Sequence, residues 1–426
     1  MDPEYRPPRD IGSGTVVRLT TAGTPGGPKQ KPVVGIISRE PLPKEARGDR
    51  ILVVEELPDS ARELVGYSGF ITTAGLERHA EPIPTISSVR DVDHLRTNDI
   101  VAMEPRNGFI RTLYRPDSDY NVIFATERCN SNCLMCSQPP QDRDDIDALT
   151  ERNLQLIRLI GVSPARLVIT GGEPTLLGER LFAIITALRD KFPETYLHML
   201  TNGRVFAWPG YTARLAALAH PNFVLGIPLY SDDSTVHDYV VQAKGAFDQT
   251  VIGLHQLARH GLRIELRVVL HAVTIPRLPE LAEYIYRNLT FVEHIALMGL
   301  ENIGYAPRNM DKLWIDPHDY TERLGSAVEI LSTRMMNVSI YNHQLCVLPR
   351  SLWKFARKSI SDWKNIYLEE CQACGVREQC GGFFQWATKL HSSHIRPLSP
   401  GWDKSQPDDG NTAAVVAGSS PTNPIE

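Results

Sequence analysis

The sequence of 426 residues lacks several features that would assign it to a broad class. No uncharged apolar run approaches the roughly 20 residues needed to span a bilayer. The opening MDPEYRPPRD has no apolar segment behind its charges, so a secretory signal is not expected. The net charge of −5 gives no overall basic field of the kind that attracts nucleic acid or anionic lipid. These absences predict a cytoplasmic protein without nucleic-acid or membrane partners.

Cysteine is scarce, with seven residues in the whole chain. An odd number in a sequence with cytoplasmic features argues against a disulfide framework. The seven fall into two groups: Cys129, Cys133 and Cys136 in one, and Cys346, Cys371, Cys374 and Cys380 in the other. Since no isolated core thiol is left over, the two groups are the first candidates for chemistry.

The pattern of apolar runs predicts several domains. Short β-type runs separated by turns predict a β-rich domain over 1–118, with one candidate helix at PDSARELV. Over 119–312, strand-like runs alternate with helical stretches in six successive βα units, which predicts an α/β fold with a parallel sheet, open or partly closed. A cysteine-bearing segment over 313–390 and a disordered tail over 391–426, poor in apolar residues, complete the chain.

The first cysteine group has the spacing Cys-x3-Cys-x2-Cys and directly follows the strand NVIFATE. Structural zinc sites and simple ferredoxin clusters each take four protein ligands. Three thiolates would leave one iron of a cubane cluster open to another ligand. The alternative is a loop whose cysteines only pack.

This cysteine spacing after a first strand resembles the signature of the radical S-adenosylmethionine (SAM) enzymes. Gly171-Gly172-Glu173-Pro174, directly after the strand ARLVIT, resembles the glycine-rich motif that binds the methionine part of SAM in that family. The run TNGR (201–204) ends the third strand, where the family has a short turn near the cofactor. The resemblance covers about 120–305. It implies a partial (β/α)6 barrel that binds a [4Fe–4S] cluster through Cys129, Cys133 and Cys136, and SAM at the open iron.

The resemblance also implies further contacts with SAM. The family usually has an aromatic residue where this chain has Met135, whose polarizable side chain can pack against adenine. Either the Glu173 carboxylate or nearby carbonyls would accept hydrogen bonds from the methionine ammonium. Asn202 in the turn is expected to contact SAM, and Arg267 is expected to bind its carboxylate. Ser231 is the candidate for the ribose, because Pro228 occupies the position where the family usually has Ser. For Arg267 a salt bridge across the sheet face is an equal alternative.

In such enzymes one electron from the cluster splits SAM into methionine and a 5′-deoxyadenosyl radical, which then abstracts hydrogen from an unactivated carbon. An external one-electron donor is required. The site must exclude water and competing hydrogen donors.

The second cysteine group, with the spacing Cys346-x24-Cys371-x2-Cys374-x5-Cys380, can close a complete coordination sphere. The run CQACGVREQCGGFF resembles the auxiliary-cluster extensions, SPASM or the shorter twitch form, of radical SAM peptide maturases. The resemblance implies a second [4Fe–4S] cluster for electron transfer or substrate anchoring. Structural zinc is the competing interpretation, because four thiolates suit zinc equally well.

Taken together, the motifs most resemble the radical SAM maturase of the His-Xaa-Ser system, the HxsC type. That family implies post-translational modification of a peptide or protein with His-Xaa-Ser repeats, and a second radical SAM maturase as partner. The basic and aromatic stretch RSLWKFARKSISDWKNIY is either a solvated helix face or a docking surface for the peptide. The alternatives are a radical SAM enzyme of a small molecule, such as a cyclase, and a non-enzymatic iron–sulfur or zinc docking protein.

The N-terminal domain is similar in layout to the swivelling phosphohistidine domain of phosphoenolpyruvate-utilising enzymes. In that comparison His79 lies near the phosphorylated histidine. No nucleotide-grasp partner is visible in the sequence, so a β-rich docking element, with His79 as an ordinary surface residue, is the favoured interpretation.

Overall fold

The computed structural model describes residues 20–25, 31–55, 65–75, 83–218, 220–358 and 366–399. His79, most of the PDSARELV helix candidate, the centre of the basic and aromatic stretch, and the tail beyond 399 lie outside the described residues.

The first part of the described chain is a seven-stranded mixed sheet, as the β-type runs predicted. Its strands are β1 (Thr20–Ala22), β2 (Val33–Ser38), β3 (Arg50–Val54), β4 (Gly69–Thr72), β5 (Thr85–Ile86), β6 (Ile100–Glu104) and β7 (Phe109–Tyr114). They lie in the order β1-β7-β6-β2-β3-β4-β5, with parallel pairing from β2 to β5 and antiparallel pairing elsewhere. Buried aliphatic side chains such as Ile37, Ile51 and Ile71 give this sheet a core of its own.

The second sheet is wholly parallel, which confirms the predicted α/β class. Its strands are β8 (Asn121–Phe124), β9 (Arg166–Thr170), β10 (Tyr196–Leu200), β11 (Phe223–Pro228), β12 (Arg263–Leu270), β13 (His294–Gly299) and β14 (Val338–Tyr341). Each strand pairs with the next in chain order, so the sheet is consistent with a partial barrel whose edges are β8 and β14. The sequence predicted six strands for this sheet, and the structure shows seven among the described residues. The additional strand, β14, lies in the region that was assigned to the cysteine-bearing extension.

Helices alternate with the strands of this sheet, and most of them cover its outer face. They are α1 (Ile146–Leu159), α2 (Glu179–Lys191), α3 (Pro209–Ala217), α4 (Ser234–Val241), α5 (Ala246–Arg259), α6 (Leu278–Asn288), α7 (Met310–Leu313) and α8 (Thr321–Thr333). In α2 the residues Leu181, Ile184, Ile185 and Leu188 are buried at the predicted helical spacing. Each contributes about 1.5–3 kcal/mol relative to an exposed side chain. Within the described ranges, every helix is too short or too polar to span a bilayer.

The two faces of the parallel sheet differ in polarity, and β12 shows this directly. Its alternate residues Ile264, Leu266, Val268 and Leu270 are buried in the core beneath the helices. The intervening Arg263, Glu265 and Arg267 line a cavity on the opposite face, which we call the inward face. Because successive strand residues point to opposite faces, this alternation gives the barrel an apolar shell and a polar interior.

The N-terminal sheet packs against the first βα unit of the parallel sheet. Val34 of β2 belongs to the main core, and the Gln155 side chain of α1 donates to its carbonyl oxygen at 3.1 Å. Arg158, also in α1, forms two hydrogen bonds of 2.9 Å with Asp49, just before β3. The Arg158 guanidinium lowers the pKa of the Asp49 carboxyl, chiefly through these hydrogen bonds.

Candidate functional site

Three motifs meet at the carboxyl edge of the parallel sheet. The cysteine loop (129–136) follows β8, the Gly-Gly-Glu-Pro turn follows β9, and the TNGR turn follows β10. Because these three strands are neighbours in a parallel sheet, their carboxyl ends lie side by side. The structure therefore brings together the motifs that the sequence placed one βα unit apart.

The shape of the cysteine loop is fixed from both sides. The Leu134 amide donates to the carbonyl oxygen of Val240 in α4 at 2.9 Å, and the Tyr305 amide donates to the carbonyl oxygen of Cys136 at 2.8 Å. Gly304 has a φ of +68°, and a Cβ there would lie only 2.2 Å from the Cys136 carbonyl oxygen. Glycine at this position lets the segment after β13 reach the loop backbone.

The two glycines of the Gly-Gly-Glu-Pro turn also allow two backbone segments to approach closely. The Gly172 amide donates to the carbonyl oxygen of Thr126 at 2.7 Å, and a Cβ at Gly172 would lie 2.0 Å from the Arg128 carbonyl oxygen. Gly171 has a φ of +153° and is also in contact with Thr126. Both glycines stay partly exposed, while Pro174 is buried at the start of a short 3₁₀ helix. The turn thus lies directly against the start of the cysteine loop and still offers backbone to a ligand.

Glu173 is used within the protein. One carboxylate oxygen accepts from the Thr175 amide at 3.0 Å and from the hydroxyls of Thr175 and Thr201 at 2.7 Å each. The other accepts from the Asn202 amide at 2.6 Å, and only 1% of the residue is exposed. Burial raises the pKa of Glu173, and these four donors oppose the rise. Of the two expected acceptors for the methionine ammonium, the carboxylate is therefore already engaged, and the carbonyls of the turn remain.

The three thiols of the loop form one electrostatic group. Burial raises the pKa of Cys129 to about 12 and that of Cys136 to about 11. The pKa of Cys133 lies well above its ordinary value because of burial and, secondly, because of the other two thiols. Since thiolates are the ligand form of cysteine, the three ionise together only beside strong positive charge, which a metal centre supplies.

The arrangement of these three thiols indicates whether the loop suits a single metal ion or an iron–sulfur cluster. Within the described ranges, no three His, Cys, Asp or Glu side chains converge in a way that could hold a single metal ion. Three partly buried thiols on one loop nevertheless form a matched donor set of soft ligands, and iron–sulfur clusters are bound by such thiolates. The loop therefore fits a cluster of several metal atoms better than one ion.

Met135 and Asn202 lie beside this group as expected. Met135 is buried in an apolar cluster with Tyr230, a residue that the sequence did not single out. The Asn202 side-chain amide donates to the side-chain oxygen of Asn130 at 2.6 Å, which joins the third-strand turn to the cysteine loop. The contact of Met135 with adenine and of Asn202 with SAM stay predictions.

Ser231 and Arg267, two further residues expected to contact SAM, each have a hydrogen-bond partner within the protein. Ser231 is only 1% exposed, and its hydroxyl accepts from the Asp233 amide at 3.1 Å where α4 begins. The contact of Ser231 with the ribose stays a prediction. Arg267 donates to Glu265 at 2.6 Å, so the structure shows the salt bridge that was its alternative role. Pro228 ends β11 beside Arg267, partly exposed.

Arg204 is a structural element of the site that sequence reasoning missed. Its guanidinium donates to the Asn130 carbonyl oxygen at 2.5 Å and to the Ser131 hydroxyl at 3.2 Å. Its Nε donates to the Gln249 side chain of α5 at 2.7 Å. Arg204 therefore holds the cysteine loop against α5. The TNGR motif contained the residue, but only the fold shows what it contacts.

Replacing Arg204 with methionine is expected to loosen the cysteine loop without unfolding the protein. Outer contacts of a metal site typically affect metal affinity by about 10–100-fold. We expect iron retention after anaerobic gel filtration and SAM affinity to fall by about tenfold or more. The matched control is Arg214→Met, because Arg214 is an exposed arginine paired with Glu179 away from the loop. Equal iron retention and SAM affinity in the two variants would contradict this role.

The second cysteine group also comes together in the structure. One small cavity is lined by all four of its thiols, Cys346, Cys371, Cys374 and Cys380. The Leu345 amide donates to the Cys380 sulfur and the Leu398 amide to the Cys374 sulfur, each at 3.5 Å. Burial raises the pKa of Cys346 to about 11. By donor chemistry four thiolates suit an iron–sulfur cluster or zinc. Among the described residues no three of them converge closely enough to hold a single ion, which favours the cluster.

Comparisons with known proteins agree with this site. Residues 123–285 match the family profile of the radical SAM superfamily. The GTP 3',8-cyclase of Nautilia profundicola is 25% identical over 202 residues, or 45% of this chain and 60% of that protein. The molybdenum cofactor biosynthesis protein moc-5 of Caenorhabditis elegans is 29% identical over 137 residues, or 30% of this chain and 22% of that protein. The chain thus spans at most 60% of the length of these two curated relatives.

Solved structures are similar over about half of the chain. SuiB of Streptococcus suis, determined bound to S-adenosylmethionine, has a TM-score of 0.43 and 15% identity, over 53% of this chain and 51% of that chain. The family match begins within β8, directly before the cysteine loop, and it includes the Gly-Gly-Glu-Pro and TNGR turns. The chain is therefore similar to the radical SAM superfamily over residues 123–285, the part that contains the cysteine loop and both turns.

Proposed function

We propose that this chain cleaves SAM reductively and uses the product to abstract hydrogen from a ribosomally made peptide or protein. The observation that carries the proposal is the cysteine loop itself. Its three thiols lie at the carboxyl edge of a parallel sheet, against a glycine turn with accessible backbone. A [4Fe–4S] cluster and SAM, when bound there, supply one-electron cleavage to methionine and a 5′-deoxyadenosyl radical.

The protein's own residues hold and shield that centre. Cys129, Cys133 and Cys136 provide its ligands, and the partly exposed turn at 171–172 offers backbone to the methionine part of SAM. The buried apolar cluster that contains Met135 packs beneath the loop. Such a cluster keeps water and competing hydrogen donors away from the reacting carbon.

The peptide substrate is the finer part of the proposal. Its support is the second group of four thiols, which line one cavity. The sequence around three of them, CQACGVREQCGGFF, resembles the auxiliary-cluster region of peptide maturases. The motifs of the whole chain further favour a His-Xaa-Ser repeat protein as substrate, a second radical SAM maturase as partner and an external one-electron donor. In this proposal the second group binds another [4Fe–4S] cluster, with zinc as the alternative.

A second candidate function is modification of a small molecule. It is favoured by the similarity to GTP 3',8-cyclase, which extends over 45% of this chain. The two candidates share SAM cleavage and differ in the substrate. Co-expression with a repeat-bearing peptide, followed by mass spectrometry, separates them, since only the peptide maturase changes the mass of the peptide.

The experiment that tests the common proposal measures 5′-deoxyadenosine by chromatography. The full chain is reconstituted anaerobically with iron and sulfide, reduced with dithionite and incubated with SAM. We expect SAM-dependent 5′-deoxyadenosine from the wild type and none from a variant that lacks one thiol of the loop. A reconstituted wild type that binds iron, yet neither forms 5′-deoxyadenosine nor responds spectrally to SAM, would favour the docking protein instead.

The two cysteine groups are expected to act separately, and Cys374→Ala tests this. With two clusters the wild type should bind about eight iron atoms per chain, and the variant about four. Because Cys374 is distant in sequence from the SAM-binding motifs, the variant should still cleave SAM without substrate while peptide modification is impaired. Iron, sulfide and zinc analysis provides the measurement. About one zinc per chain together with four irons in the wild type would assign zinc to the second group.

A further inference from the structure

A polar cavity of about 500 Å³ lies on the inward face of the parallel sheet, apart from the cysteine loop. It is lined by residues from neighbouring strands, among them Arg166, Tyr196, His198, Glu265, Arg267 and His294. Further along the inward face of β12, Val269 packs against the apolar cluster of Met135 and Tyr230 beneath the loop. The cavity therefore extends from the lower part of the barrel toward the candidate active site.

The carboxylates in this cavity are already neutralised. Glu265 accepts from Arg267 at 2.6 Å through one oxygen and lies 2.9 Å from the His294 ring through the other. Glu293 accepts from the Nε of Arg263 at 2.8 and 2.9 Å. A cationic ligand would have to compete with these arginines for the same oxygens.

Hydrogen-bond donors, by contrast, remain available. The Arg166 guanidinium stacks on the Tyr196 ring at 4.9 Å and has neither a carboxylate partner nor a hydrogen bond among the described residues. Arg267 has five N–H donors, and within the described part of the chain only one hydrogen bond, that to Glu265, uses them. Burial lowers the pKa of His198 to about 4, so that ring adds no positive charge at neutral pH. The cavity therefore contains a positive charge, that of Arg166, which no carboxylate among the described residues neutralises.

Gly226 in the middle of β11 makes room for this arrangement. A Cβ at Gly226 would lie 2.7 Å from Nε2 of His198 and 3.1 Å from Cδ of Arg267. Glycine is depleted inside strands and often marks a close approach by another group. Here its absent side chain lets residues from β10 and β12 lean over β11 toward one space.

We propose that this cavity binds an oxyanion of the substrate, a carboxylate or a phosphate, between Arg166 and Arg267. The planar guanidinium fork matches both groups. The inference rests on the proposed function, because it takes the barrel interior as the route by which a substrate approaches the cysteine loop. Side-chain exposure falls from 42% at Arg263 to 23% at Arg267, so the cavity opens at the amino edge of the sheet. The anionic group is held below the loop and the rest of the substrate extends toward Val269.

The test uses isothermal titration calorimetry on the full chain, reconstituted anaerobically, with SAM present and no reductant. The probes are inorganic triphosphate and succinate, which represent the phosphate and carboxylate sources. We expect the wild type to bind at least one probe and Arg166→Met to bind it about tenfold or more weakly. Arg166→Lys keeps the charge and should recover part of the affinity. The matched control, Arg180→Met, removes an exposed arginine paired with Asp147 and should bind as the wild type does.

The outcomes separate this inference from the proposed function. Preference for triphosphate assigns a phosphate-bearing substrate, and preference for succinate assigns a carboxylate-bearing one. Failure of the wild type to bind either probe, or equal affinity in Arg166→Met, overturns the inference. If Arg166→Met does not fold, Arg166→Gln gives the same comparison. Formation of 5′-deoxyadenosine without substrate, measured in parallel, should be equal in the wild type and in Arg180→Met, and its absence from the wild type would overturn the proposed function alone.

Discussion

Replacing Cys133 with alanine is expected to abolish SAM cleavage and to remove the iron bound at the cysteine loop. Three thiols leave no spare ligand, so the loss of one leaves two protein ligands for the whole cluster. We expect 5′-deoxyadenosine formation to fall by more than about 100-fold, beyond the usual effect of losing an outer contact. The measurement is product formation per chain after anaerobic reconstitution and reduction.

The fold should survive this substitution, which makes the result interpretable. Cys133 packs against an apolar cluster, and alanine keeps part of that contact. If the far-ultraviolet circular dichroism spectrum is unchanged while the iron content falls, the loss of iron is due to the missing thiol ligand and not to unfolding. Cys374→Ala is the matched control, because it removes one thiol from the other group. Cleavage at the wild-type rate by Cys133→Ala, or an equal loss in both variants, would contradict the assignment of the loop.

The sequence predicted the parallel sheet and the position of the cysteine loop for the same physical reason. Buried parallel strands read as short apolar runs, and each run between two helices can be recognised locally. Strand order then follows chain order, so motifs that end successive strands must meet at one edge. β14 escaped prediction because Val338–Tyr341 lies beyond the regular alternation, in the segment assigned to the cysteine-bearing extension.

The roles of individual polar residues could not be predicted in this way. Glu173 accepts hydrogen bonds from Thr201 and Asn202, which lie 28 and 29 positions away in the chain. Arg204 reaches Asn130 across 74 positions. Such pairs depend on how two loops approach, which no local pattern encodes. Ser231 is a further example, since its hydroxyl accepts a hydrogen bond from the Asp233 amide where the next helix begins, a contact that the motif comparison did not predict.

Replacing Glu173 with glutamine is expected to destabilise the protein. The carboxylate oxygens together accept four hydrogen bonds from Thr175, Thr201 and Asn202. Glutamine keeps one of the two oxygens and replaces the other with an NH₂ group, which cannot accept a hydrogen bond. At least one buried N–H or O–H therefore loses its partner. An unsatisfied buried group costs about 1–3 kcal/mol, and we expect the free energy of unfolding to fall by about that amount. Equilibrium denaturation in urea measures it.

The same variant decides between two roles for this carboxylate. If Glu173 joins the two turns, as its contacts indicate, its loss lowers stability, and SAM affinity declines because the turns separate. If it instead binds the methionine ammonium, SAM affinity falls while the free energy of unfolding stays unchanged. Glu179→Gln is the matched control, since Glu179 lies six positions away, is exposed and pairs with Arg214, and it should change neither quantity. Because Glu173 is buried and bonded at both oxygens, we expect stability to respond first, with SAM binding following from it.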